Sequence, residues 1–276
     1  MSRSLKRLSR PVVILACGGW NDAGQAATGA VYYLADHYDA KQVYELDDEC
    51  FWSFTDVRPQ LEDQAGERVL VWPEIRFSTA KTVNQDLLFI EGPEPNLKWR
   101  TFTRTLVAKI AETKPALIVL LGSMLADVPH TRGLPVNGSS TAPEIDVMLA
   151  SNDYEGPTGI IGVLTEVCQA IPECEVVSLW VSIPQYAAAV ENPLAIYTLL
   201  SQIRALLGNP SDLDLSELES KSRDWVQQVS QLVDDDPEIS EYVEELERDW
   251  DSDDVSTATG ETIAQEFERF LRDTNK

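Results

Sequence analysis

The stretch Ile14-Leu15-Ala16-Cys17-Gly18-Gly19-Trp20-Asn21-Asp22-Ala23-Gly24 decides between three readings: the end of a lipoprotein leader, a phosphate loop, or a turn from strand to helix. Arg3, Lys6, Arg7 and Arg10 precede a short apolar run and a cysteine, which is the order of a secretory signal. The run 12–16 holds five residues, whereas a signal core needs about 7 to 15. Rich in β-branched residues and closed by Gly18-Gly19, it fits a fully buried strand. Beyond it Ala23, Ala26, Ala27, Ala30, Val31 and Leu34 mark one face of a helix, with Asn21 or Asp22 placed to cap it. The stretch therefore reads as strand, glycine turn and helix.

The same alternation continues outward. Apolar runs predict strands at 42–46, 68–72, 87–91, 116–121 and 175–181, with helices over 96–113 and 158–169 and another opening at Asn192-Pro193 and closed by Gly208. The fold class expected is α/β, a mainly parallel sheet flanked by helices. From Pro210 onward there are 21 acids and 6 bases, against 25 and 16 upstream, and the shift marks a boundary. We expect an α/β core over 1–209 and an acidic helical subdomain over 210–276, with helices at 216–233, 237–250 and 259–272. Ser216 and Glu219 have the spacing of a capping box at the first of these.

Composition excludes several functions. A formal net charge of −24 would repel a phosphate backbone, so no nucleic-acid partner is expected. No apolar run approaches the roughly 20 residues of a membrane span, so a soluble, cytoplasmic protein is expected. Cys17, Cys50, Cys168 and Cys174 follow no zinc spacing, and with His37 and His130 the only histidines, no metal site is expected. The aspartates of 234–237 and 251–254 lack the ligand spacing of a calcium loop and read as connectors. No cofactor motif is found: the glycine turn has neither GxGxxG nor a following Lys-Ser/Thr, and Asp22 stands where a phosphate would lie.

Ligands of open parallel sheets bind beyond the carboxyl ends of the strands. That rule selects the loops 18–24, 122–135, 153–159 and 182–192. The candidate ligand-binding residues are Gly19, Trp20, Asn21 and Asp22 from the first; Asp127, His130 and Arg132 from the second; Tyr154, Glu155 and Gly156 from the third; and Tyr186 from the last. Asp22 as a helix cap, and the others in local hydrogen bonds, are the structural alternatives. Ser123, Asp127 and His130 supply the residue types of a nucleophilic triad, yet Ser123 is not in a GxSxG elbow, and no residue is assigned a catalytic role.

Taken together, GGWNDAGQAA (18–27), LLGSMLADVPHTRG (120–133), YEGPTGIIGVL (154–164) and SLWVSIPQYAAAVENPLA (178–195) resemble the proteasome assembly chaperone family, specifically its actinobacterial branch. The resemblance covers about 12–207 and implies a nucleoside-phosphorylase-like sheet with a pocket at the loops named above, the acidic tail being the branch's extra subdomain. Relatives usually carry Pro-His-Tyr where this chain has Pro184-Gln185-Tyr186. Those that dock on proteasome rings end in hydrophobic-tyrosine-any residue, whereas 273–276 read Asp-Thr-Asn-Lys, so no C-terminal proteasome docking is expected. The expected function is that of a cytosolic, non-catalytic binding or assembly-chaperone-like protein, homo-oligomeric, with a protein partner or a small polar ligand. The alternative is a hydrolase or transferase acting on a nucleoside-like or carboxylate substrate through Asp22, Asp127, His130, Arg132 and Glu155.

Overall fold

The computed structural model describes residue 5 and residues 8–146, 156–188 and 191–257. Its first strand, β1 (Val12–Gly18), has side chains alternating between two faces that are both buried. Val12, Ile14 and Ala16 enter one apolar cluster, and Val13, Leu15 and Cys17 the other. A strand buried on both faces belongs at the centre of a sheet. It pairs in parallel with β6 (Asp86–Pro93) on one side and β7 (Leu117–Ala126) on the other, and β7 pairs in parallel with β9 (Glu175–Pro184).

The edges run antiparallel. On one side β5 (Ile75–Lys81) and then β2 (Lys41–Leu46) add to β6; on the other β8 (Val136–Ser140) adds to β9. The seven-stranded order is β2-β5-β6-β1-β7-β9-β8, parallel at its centre and mixed overall. Helices α1 (Ala26–His37) and α5 (Pro193–Leu206) cover one face. On the other lie α2 (Trp99–Ala111) and α4 (Ile160–Cys168). A one-turn helix, α3 (Pro143–Asp146), follows β8.

Four expectations need correction. The strand expected at 68–72 exists as β4 (Glu67–Val71), but it pairs with β3 (Gln60–Gln64) in a separate hairpin. Ala65 and Gly66, both with positive φ, make the two-residue turn that twists such a hairpin correctly. The loop expected from Gly122 begins later, because Gly122 to Ala126 continue β7 alongside Trp180 to Pro184. The helix expected from 158 opens two residues later, at Ile160, whose N–H donates to the Glu94 carboxylate at 2.7 Å. Ser216 does not form a capping box. It already lies within α6 (Ser216–Asp234), and its N–H donates to Asp214 at 3.0 Å.

Asn192 caps α5 as expected, accepting from the Ala195 N–H at 3.0 Å with Pro193 at the first helical position. Beyond Pro210, Leu213, Leu215 and Leu218 complete the core cluster that holds Ile14. Trp225, Val229 and Val233 of α6 gather with Ala187 and with Val243 of α7 (Pro237–Thr257) in a smaller cluster. The helix expected over 259–272 and the ending 273–276 lie outside the described residues. Among the described residues, no helix is long and apolar enough to cross a membrane.

Candidate functional site

The glycine turn is tied to both neighbours of β1. Gly19, with φ +101°, lets the chain double back so that the Asp22 N–H donates to the Gly19 carbonyl at 3.1 Å. The Gly18 carbonyl accepts from the Glu94 N–H at 2.9 Å, beyond β6. The Asn21 carbonyl accepts from the Ser123 N–H at 2.8 Å, and the Ser123 hydroxyl donates to the Ala23 carbonyl at 2.8 Å, both on β7.

Within this frame the Asp22 carboxylate accepts the N–H groups of Ala27 at 2.9 Å and Thr28 at 3.1 Å, together with the Thr28 hydroxyl. It therefore caps the first turn of α1 from several residues upstream. Burial pushes its pKa up, and the bonds from Thr28 and Ala27 pull it back down. Asn21, wholly buried, donates through Nδ2 to Glu94 Oε1 at 2.8 Å. Because the carboxylate needs a donor, this bond fixes the amide's orientation. Asn21 Oδ1 is left without a partner, facing Gly159, where a Cβ would approach it to 2.0 Å.

Next to Asp22 is a second ionic group. Glu91, on β6 opposite Arg76 of β5, is buried and ion-paired to the Arg76 Nε at 2.7 Å. The Tyr32 hydroxyl donates to Glu91 Oε2 at 2.9 Å. Burial, and then the Glu91 charge, push the Tyr32 phenol up to about 12. Asp22, Tyr32, Arg76, Glu91 and Glu94 line one cleft of about 850 Å³, together with Gly19, Trp20 and, from the segment after the hairpin, Trp72 and Glu74.

The other candidates stand elsewhere. Asp127, His130, Arg132 and Tyr186 do not line this cleft; they meet α6 and α7. Asp127 accepts from the Gln185 amide and from the Tyr242 hydroxyl, each at 2.6 Å, so the glutamine of Pro184-Gln185-Tyr186 has a partner of its own. Arg132 forms a two-point pair with Asp251, its Nε and Nη2 donating at 3.0 and 2.9 Å.

His130 is buried between two hydroxyls, Tyr186 at its Nδ1 and Ser230 at its Nε2. The Ser230 hydroxyl donates to the Val226 carbonyl, so it must accept from Nε2–H. Tyr186 O–H then donates to Nδ1 while accepting the His130 backbone N–H. The network thus assigns a neutral imidazole protonated at Nε2. Desolvation lowers the His130 pKa, opposed by the charges of Glu247 and Asp234.

The pocket expected to unite all these residues is accordingly divided. Gly19, Trp20 and Asp22 face the cleft, Asn21 supports it from beneath, and Asp127, His130, Arg132 and Tyr186 meet the acidic helices. Gly156 is exposed and does not line the cleft; Tyr154 and Glu155 lie outside the described residues. Sequence reasoning missed Tyr32, Trp72, Glu74, Arg76, Glu91 and Glu94. Only Glu91 left a signal there, as a carboxylate ending the apolar run 87–90 at a carboxyl edge. Among the described residues, no group of three or more His, Cys, Asp or Glu is placed to hold a metal ion.

A family model described as the PAC2 family matches residues 16–233, and the chain belongs to that family. Among solved structures it is similar to a PAC2 family protein from Streptomyces avermitilis, with 37% identity and a TM-score of 0.75, covering 84% of this chain and 99% of that one. It is also similar to the proteasome-assembly chaperone homologue of Mycobacterium tuberculosis, with 34% identity and a TM-score of 0.76 over the same shares. An archaeal proteasome activator from Pyrococcus furiosus shares the fold at 14% identity, with a TM-score of 0.64 over 82% of this chain and 94% of that one. No curated protein matches.

Proposed function

We propose that the chain is a cytosolic, non-catalytic assembly-chaperone-like protein that engages a protein partner and offers the cleft at the carboxyl edge of its sheet as a polar binding site. The observation carrying this is the 34% identity, across nearly the whole of that relative, to a proteasome-assembly chaperone homologue. Chemistry in the cleft favours binding over catalysis. Asp22 commits three acceptor sites to α1, Glu94 caps α4, and Glu91 is paired to Arg76. A hydrolase or transferase using Asp127, His130 and Arg132 finds no support, because those side chains are bonded to α6, α7 or their own strand ends. The partner class suggested by the family is the proteasome subunit, and a homo-oligomer is the assembly we expect.

Affinity capture of the tagged full chain from its native host, with mass spectrometry of what is retained, tests this reading. Enrichment of proteasome subunits is the expected result. Capture of the chain with none of them would overturn it.

A further inference from the structure

The chain has seven tryptophans, all among the described residues, and only Trp20 and Trp72 are exposed, at 66% and 50%. Both line the same cleft, although they come from different sides of the fold: one from the turn after β1, the other from the segment between the hairpin and β5. An exposed indole is a large apolar surface left in water, and two converging on one cavity mark a surface made to be covered.

The charges in the cleft define what covers it. Its charged lining is Asp22, Glu74, Glu91, Glu94 and Arg76, and Arg76 is already committed to Glu91. Of the roughly four acceptor sites of a carboxylate, Asp22 uses three, on Ala27 N, Thr28 N and Thr28 Oγ1. Glu94 takes both its bonds through Oε1, leaving Oε2 toward Gly19. Burial holds the Asp22 and Glu74 carboxyls above their usual range, a cost that a cation would relieve. Acidity alone would select no site on a chain of net charge −24; its coincidence with the two exposed indoles does.

Resting on the assembly reading above, we propose that this cleft receives a basic segment of a partner protein: an arginine or lysine whose charged head meets Asp22, Glu74 and Glu94, flanked by apolar residues that pack on Trp20 and Trp72. Tryptophan is the ring best suited to receive such a cation on its face. A free polyamine would satisfy the carboxylates but leave much of the indole surface uncovered, which is why a chain segment is the occupant.

Isothermal titration of the full chain with acetyl-Ala-Leu-Arg-Leu-Ala-amide, its glutamate and norleucine counterparts, and spermidine tests the assignment. The arginine peptide is expected to bind saturably and at least about tenfold more tightly than the other three. Raising NaCl from about 0.05 to about 0.5 M should weaken it. Trp20→Ala combined with Trp72→Ala, and separately Asp22→Asn, should each weaken it by about tenfold with secondary structure unchanged by circular dichroism. Absence of saturable binding, equal binding of the glutamate peptide, equal binding of spermidine, or affinity unchanged in the double tryptophan variant would each overturn the proposal. The tryptophan arm decides the matter even if Asp22→Asn fails to fold. Proteasome subunits captured equally well by the double tryptophan variant would overturn this assignment alone; arginine-peptide binding without any such capture by the wild-type chain would overturn the assembly reading alone.

Discussion

Asp22 carries two duties that substitution separates. Asp22→Asn keeps an oxygen for the N–H groups of Ala27 and Thr28 and gains an amide that can donate to the Thr28 hydroxyl, so stability by urea denaturation should stay close to wild type. Asp22→Ala removes all three bonds and should cost about 0.5 to 2 kcal/mol; equal losses in the two variants would contradict this account. Gly159→Ala probes the layer beneath. Its Cβ would come within 2.0 Å of Asn21 Oδ1 and push Asn21 away from Glu94, at about 1 to 3 kcal/mol. An unchanged melting temperature would refute that packing. Asp22 was legible because a residue between a glycine turn and an alanine-faced helix sits at a strand's carboxyl end by construction. Arg76 was not, since its tie to Glu91 crosses a pair of strands, one of which escaped notice: β5 alternates buried Ile75 and Phe77 with half-buried Arg76 and Ser78, a weaker pattern than a continuous apolar run.

Among elements, the central parallel strands were legible because burial on both faces demands unbroken apolar sequence. The hairpin β3–β4 and the edge strand β8 were not, because an exposed hairpin and a half-buried edge tolerate polar residues such as Glu62, Asp63 and Asn137. The contact of α6 and α7 with the sheet's second half was equally hidden, since nothing in the tail's acidity says which loop it meets. That contact has a pH signature. In the folded chain the His130 pKa lies below its ordinary 6.5, so near and below that value the unfolded chain binds the extra proton. Stability therefore falls as pH drops through 6.5, and the loss is complete only below the depressed folded value. Melting temperatures followed from about pH 7.5 to about pH 5.5 should show the advantage of wild type over His130→Gln shrinking; a constant gap would remove His130 from the pH dependence. Arg132→Ala should lower the urea midpoint less than Asp22→Ala does, because its pair with the exposed Asp251 remains in contact with water and is screened by it.

For the molecule as a whole, a net charge of −24 means that the folded state gathers repelling carboxylates. Added NaCl should therefore raise the melting temperature, and a fall on going from about 0.02 to about 0.3 M would show that specific ion pairs dominate instead. We retain Pro210 as the proposed junction of a helical subdomain, docked on the core rather than independent of it. Truncation after residue 209 would strip Leu213, Leu215 and Leu218 from the cluster around Ile14, so the remaining α/β part should lose cooperative unfolding. The exposed hairpin β3–β4 stands apart from the seven-stranded sheet, with Trp72 beyond it touching Phe54 at 5.1 Å between ring centroids. Its exposed amides should open locally, whereas those of the buried β1 should be released only by global unfolding, so the two segments should exchange hydrogen for deuterium on separate clocks. Slower exchange in the hairpin against an unchanged β1 would report occupancy of the neighbouring cleft from within one protein, with no label and no partner identified beforehand.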